Sequence, residues 1–115
     1  MPLPELVAAQ ADRALAVFCE RRVPAHARSQ VRLEHQRRGV AVTLVERRPV
    51  WNDPSAEWTA LPIARFKYAV DAGTWTLWCS DRNGRWRLYE PAKPRRLLED
   101  LLGEVERDHT GIFWG

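Results

Sequence analysis

The chain has 115 residues, 45% of them hydrophobic and 29% charged, with 6 Gly and 8 Pro. That size and composition exclude disorder, collagen-like repeats and low-complexity sequence, and they suit a single domain over residues 1–115 that folds without disulfides or metal. Eighteen Lys and Arg against 15 Asp and Glu give a net charge of +3, too mild by itself to mark a nucleic-acid binder, and no apolar run approaches the length of a membrane span.

Residues 4–22 carry helical periodicity. Val7, Ala11, Ala14, Leu15 and Phe18 recur on one stripe. Pro4 suits a first turn, Glu5 favours the positive helix N-terminus, and Arg21 and Arg22 favour the C-terminus. Val23-Pro24 ends the helix.

The period then changes to two. Val31, Leu33 and His35 alternate with Arg32 and Glu34, Arg38-Gly39 turns the chain, and Val40, Val42 and Leu44 follow. A two-residue loop at Arg38-Gly39 predicts Leu33 opposite Leu44 and His35 opposite Val42. Residues 49–61 are irregular, because two prolines, Asn52, Asp53 and Ser55 forbid a regular strand; Trp51 and Trp58 are expected to pack this stretch down.

A three-stranded meander comes next. Ala64, Phe66, Tyr68 and Val70 alternate with polar neighbours, then Trp75, Leu77 and Cys79, then Trp86 and Leu88. The turns are Ala72-Gly73 and Asn83-Gly84, the latter a strong hairpin signal because both positions tolerate positive φ. Two-residue loops predict Val70 opposite Trp75, Tyr68 opposite Leu77, Phe66 opposite Cys79 and Cys79 opposite Leu88. The other face then carries Arg65, Lys67, Thr76, Trp78, Arg87 and Tyr89, with Trp78 directly opposite Tyr89.

Pro91 breaks the last strand and Pro94 is expected to open a second helix with the stripe Leu97, Leu98, Leu101, Leu102 and Val105. Gly103 lies inside that helix and weakens it by about 1 kcal/mol relative to Ala. The sum is an α+β fold, a five-stranded antiparallel sheet (hairpin plus three-stranded meander) flanked by an N-terminal and a C-terminal helix. The strand order between the two β units and the face covered by the N-terminal helix stay open.

Charge is segmented along the chain. Residues 21–38 hold six arginines and one acid, residues 82–96 six cations and one acid, and residues 99–108 five acids and one arginine. Arg makes up 16 of the 18 cations, as a GC-rich coding sequence would give. Cys19 and Cys79 sit in apolar contexts without a CxxC or a Cys/His cluster, so they read as small buried hydrophobes in a reducing compartment. The first residues lack a basic leader region, and a cytoplasmic location is expected. His26, His35 and His109 are scattered, which argues against zinc, and His35 on an apolar face suits a hydrogen-bonded core histidine. Neither GxGxxG, Walker A nor GxSxG occurs, so no cofactor is expected.

From residue 63 the chain contains IARFKY, WTLW, RNGRWRLYE and LLGEVERDHTGIFWG. These resemble a bacterial family catalogued as domain of unknown function 3024, with its aromatic strand, G/K-x-W-x-x-Y strand, Leu-Leu helix and Asp-x-x-Gly-x-Phe-(Trp/Phe)-Gly end. The matching positions are Trp75, Trp78, Trp86 and Tyr89, then Leu101 and Leu102, then Asp108, Gly111, Phe113, Trp114 and Gly115. Glu46-Arg47-Arg48-Pro49 followed by Trp51 adds an E-x-R-P-like element, so the resemblance covers the chain after about residue 30. His109 departs from it, where a proline is commoner, and so does Cys79. The resemblance implies a small standalone bacterial protein and brings no activity. Trp75, Trp86, Asp108, Gly111, Phe113, Trp114 and Gly115 are expected to be structural.

These features point first to a non-enzymatic binding or interaction module, with Arg65, Lys67, Trp78, Arg87 and Tyr89 as candidate surface and Arg37 and Arg38 as contributors. The alternative is a nucleic-acid-binding module using that face, since bases stack on exposed aromatics and Arg neutralises phosphate. A helix or second subunit covering Trp78 and Tyr89 would give the same pattern without a ligand. Both helices on one face would leave the surface open; split helices would bury it. The third alternative is an enzyme or enzyme accessory using Asp108-His109 as an acid/base pair, weighed against a helix stop in which Gly111 turns the chain and Phe113 and Trp114 plug the core. A protein partner or homodimer fits an exposed edge strand, whereas membrane and metal are not expected.

Overall fold

The first helical stripe is realised as α1 (Glu5–Arg22), in a computed structural model that describes residues 1–115. Ala8, Ala11, Leu15 and Phe18 form its buried side. A 3-10 turn at Ala25–Ala27 leads into five strands: β1 (Arg32–Arg38), β2 (Ala41–Arg48), β3 (Thr59–Ala69), β4 (Thr74–Ser80) and β5 (Trp86–Leu88). All pair antiparallel in the order β1-β2-β3-β4-β5, so every strand lies beside its neighbour in sequence. The chain closes with α2 (Leu98–Arg107), completing the expected α+β fold.

Three hairpin registers differ from those the two-residue loops predict, and the differences matter unequally. The β1–β2 loop is Gly39-Val40, with Arg38 opposite Ala41, Leu33 opposite Glu46 and His35 opposite Leu44. Gly39 has φ +61° and Val40 does not share a positive φ, the pattern of a type II′ turn. The β3–β4 loop has four residues, 70–73, so Tyr68 rather than Val70 faces Trp75 and Phe66 faces Leu77. Both are shifts by two, which keep each side chain on its expected face. The Tyr68 and Trp75 rings meet at 5.0 Å, tilted by 55°.

The β4–β5 register is off by one, and that inverts β5. Asp81 pairs with Arg85 through its backbone N–H at 2.8 Å, leaving Arg82, Asn83 and Gly84 as a three-residue loop. Only Gly84 takes positive φ, +77°, and the Asp81 carboxylate accepts the N–H groups of Asn83 (2.8 Å) and Arg85 (2.9 Å). The side-chain cap thus selects a turn with one left-handed residue over a type I′ turn with two. Trp78 stands opposite Leu88, and Cys79 opposite Arg87.

Two further boundaries move. The irregular stretch ends at Trp58, since Thr59–Leu61 already pair with β2. Pro62 is tolerated because β4 pairs only with residues 65–69 of β3, so no ladder bond is lost on that side, and the register shift opposite Leu44/Val45 makes Ile63 a bulge. Trp58 packs, but Trp51 is 92% exposed, against the expectation for it. Nor does Pro94 open the second helix. Arg95 instead makes a β-bridge to Trp75, exchanging backbone bonds of 2.7 and 3.0 Å, and Leu97 is the exposed N-cap.

Both helices lie on one face of the sheet. Leu15 and Phe18 of α1 and Leu98, Leu101, Leu102 and Val105 of α2 join Val42, Leu44, Phe66, Trp75 and Leu77 in one 20-residue core cluster. Each α2 side chain so buried contributes about 1.5–3 kcal/mol. Asp12 of α1 sits 3.3 Å from both His35 Nε2 and Arg37 Nε of β1, which puts those two side chains on the helix side.

The C-terminal DHTGIFWG is a helix stop. Asp108 adopts φ +45° at the C-cap, and Gly111 follows with φ +71°. Asp108 accepts the N–H groups of Phe113 (3.1 Å) and Trp114 (2.9 Å) on its two oxygens. Trp114 Nε1 donates to the Val105 carbonyl at 2.9 Å, and Phe113 is buried with its ring 5.0 Å from that of Tyr89. Arg22 closes the corner, its guanidinium 4.0 Å from the Trp114 ring centre and 3.8 Å from Glu106.

Candidate functional site

Strand alternation fixes what the helix-free face displays. β1 contributes Arg32, Glu34, Gln36 and Arg38, and β2 contributes Thr43, Arg47 and the buried Val45 opposite Glu34. Arg65 and Lys67 come from β3, Thr76 and Trp78 from β4, and Trp86 and Leu88 from β5. No helix covers this face.

Cations and tryptophans interlock across it. Lys67 Nζ lies 3.8 Å from the Trp78 ring centre, and the Arg65 guanidinium carbon 4.4 Å from that of Trp86. Arg32 stands 4.2 Å over Trp58, at the end of the irregular stretch. Each contact is a cation over a π-face. Threonines hold the set in place: Trp78 Nε1 donates to Thr76 Oγ1 at 2.9 Å, and Arg65 Nε to Thr43 Oγ1 at 3.0 Å. The Trp86 ring, rooted on β5, reaches back over β4 to meet Arg65 on β3.

The electrostatics are unbalanced. Glu34 is the acid on the strands of this face, and Arg47 takes it at 2.7 Å. Arg32, Arg38, Arg65 and Lys67 have no carboxylate within ion-pair distance. Burial lowers the Arg65 pKa from its ordinary value, and the like charge of Arg38 lowers it further. A partly buried guanidinium beside another cation favours an incoming anion.

Of the sequence-derived surface, the structure brings together Arg38, Arg65, Lys67 and Trp78. Tyr89 is not among them. The inverted β5 turns it into the core, 4% exposed, with its hydroxyl 3.4 Å from Thr110 Oγ1. Arg87 follows the same parity and pairs with Asp81 at 2.9 Å, while Arg37 pairs with Asp12 on the helix side. Trp86, expected to be structural, takes the place intended for Tyr89. Arg32 and Trp58 were missed altogether. The signal for the exchange of Trp86 and Tyr89 was Asp81, two residues before Asn83, whose carboxylate lengthens the loop.

Trp75 and Phe113 are buried, Trp114 is tied to the Val105 carbonyl, and Gly111 and Gly115 turn the tail, with Gly115 N–H on the Gly111 carbonyl at 3.2 Å. Asp108 spends both carboxylate oxygens on backbone N–H groups and His109 is exposed, so this corner holds the tail. No three His, Cys, Asp or Glu side chains are grouped to hold a metal ion, and no helix is long and apolar enough to cross a membrane.

An antiparallel meander with both helices on one face and a cationic, tryptophan-bearing second face defines a small α+β protein with one open sheet surface. The chain belongs to the family described as Domain of unknown function (DUF3024), which matches residues 3–115 and so includes α1 as well as the motif-bearing half. Comparison with curated proteins and with solved structures found no match.

Proposed function

We propose that this protein is a non-enzymatic binding module and that its open sheet face takes single-stranded nucleic acid. The carrying observation is that Lys67, Arg65 and Arg32 each sit over a tryptophan on one uncovered face while lacking any carboxylate partner. An Arg held over a ring can stack a base on its far side and give its N–H edge to a phosphate. A flat sheet suits splayed bases better than a duplex, whose grooves call for a protruding helix or ribbon.

Fluorescence anisotropy with labelled single-stranded RNA, single-stranded DNA and duplex DNA at two salt concentrations tests this. Micromolar or tighter binding to single strands is expected. Neutralising four phosphates gives a log–log salt slope of about −3. Trp86→Ala should weaken binding by about 5- to 150-fold, the worth of one stacked base. Absence of single-strand binding at low salt removes the proposal.

A further inference from the structure

The helix layer carries a second surface, on the side of the molecule away from the open sheet face. An apolar groove of about 670 Å³ runs between α1 and α2, with Trp75 among its lining residues. Leu6, Val17 and Leu97 border it at 71%, 48% and 58% exposure. Three large apolar side chains left open on one groove call for a partner.

The charges on the groove walls say which partner. The α1 wall brings Arg13 and Arg21; the α2 wall brings Glu99 and Glu106, with Arg96 on the segment just before that helix. Eight residues of helix separate the arginines by about 12 Å, and seven separate the glutamates by about 10.5 Å. Arg13, Arg21 and Glu99 have no ion pair within the chain, and Glu106 has only Arg22 at 3.8 Å. Between the two helices themselves, one side is therefore the electrostatic complement of the other at similar spacing, Arg96 lying outside α2. A two-fold axis satisfies both walls at once, because α1 of each copy then meets α2 of the other.

Gly103 is the independent sign. It lines the groove between Glu99 and Glu106 inside α2, where glycine costs about 1 kcal/mol relative to alanine. Its φ is not left-handed, and an added Cβ would meet no backbone, coming closest to the Arg107 guanidinium at 3.3 Å. Neither backbone conformation nor a backbone contact within the chain requires glycine there. A notch without a side chain lets a second helix approach closely.

We propose that two copies of this chain form a symmetric dimer through the α1–α2 groove, α1 of each lying on α2 of its partner. The two open sheet faces then point outward on opposite sides. The inference is independent of what those faces bind.

Sedimentation velocity over a concentration series tests it. The expected species has twice the 13.3 kDa chain mass. Two charge-reversed proteins are then made, one with Arg13→Glu and Arg21→Glu, the other with Glu99→Arg and Glu106→Arg. All four positions are exposed, so circular dichroism should be unchanged. Each protein alone should sediment as a monomer, because its two helices now bring the same sign to the groove. Mixed in equal amounts they should dimerise, because each α1 again meets an opposite α2. Gly103→Ala should weaken self-association about tenfold, equal to about 1.4 kcal/mol, while raising the melting temperature of the dilute chain. A monomer at every concentration, a dimer indifferent to both reversals, or a mixture that stays monomeric each overturns the proposal.

Discussion

Asp108 accepts the backbone N–H of Trp114 at 2.9 Å, reaching six residues forward in the chain. Its other oxygen takes Phe113, and its own backbone sits at φ +45°. One side chain thus ends α2, turns the tail and seats two aromatics. Phe113 then packs on Tyr89, and Trp114 on Arg22.

Asp108→Ala should therefore destabilise the protein by about 2–4 kcal/mol, from two lost hydrogen bonds to a charged acceptor plus left-handed strain. Asp108→Asn should lose about half as much, because Asn keeps one acceptor oxygen and tolerates that conformation. Urea unfolding reads both. A cost for Ala below about 0.5 kcal/mol, the level of an ordinary surface change, would mean that the tail is held by something else.

Trp86 and Tyr89 should respond in opposite ways. Tyr89 is 4% exposed in the core, so Tyr89→Ala should cost about 3–5 kcal/mol. Trp86 lies on the open face, and Trp86→Ala should leave most of the stability intact while removing the ring under Arg65. Thermal melts of the two variants separate the registers. Equal losses would contradict the inverted β5.

The pH profile of stability should have two identifiable limbs. The Asp81 carboxyl is held below its ordinary 3.8 by the Arg85 backbone N–H first, then by Arg87 and Asn83. Its contribution is present above 3.8 and is lost as pH falls below that value toward the folded pKa. The Cys19 thiol is pushed up to about 11 by burial, with Glu34 adding repulsion. An unfolded thiol releases its proton near 9.0, so this contribution is present below 9.0 and is lost between 9.0 and about 11. Asp81→Asn should flatten the acid limb and Cys19→Ala the alkaline one, each measured as the difference from the parent chain in urea titrations across pH. A difference that does not change with pH sinks the assignment for that residue.

How much was legible in the sequence depends on the parity of each error. The β1–β2 and β3–β4 registers slip by two residues, and the faces of Leu44, Phe66, Leu77 and Trp78 survive, because strand side chains alternate with period two. At β5 the slip is one, and Tyr89 and Trp86 exchange faces. Asn83-Gly84 fits either loop length, and the deciding group is a carboxylate outside the dipeptide. Pro94 fits a helix start, but the free edge of β4 at Trp75 captures Arg95 first. The pairing of Arg32 with Trp58 joins a strand to an irregular stretch, which periodicity does not reach.

The meander order sets a timetable for synthesis. As each strand leaves the ribosome its partner has already emerged, so the sheet can assemble by short loop closures in chain order. α1 is different. It is made first, yet Leu15 and Phe18 share their core with α2, which is made last. The first helix to appear is the last to be fully housed, and until then its apolar stripe is open to any chaperone waiting at the exit tunnel.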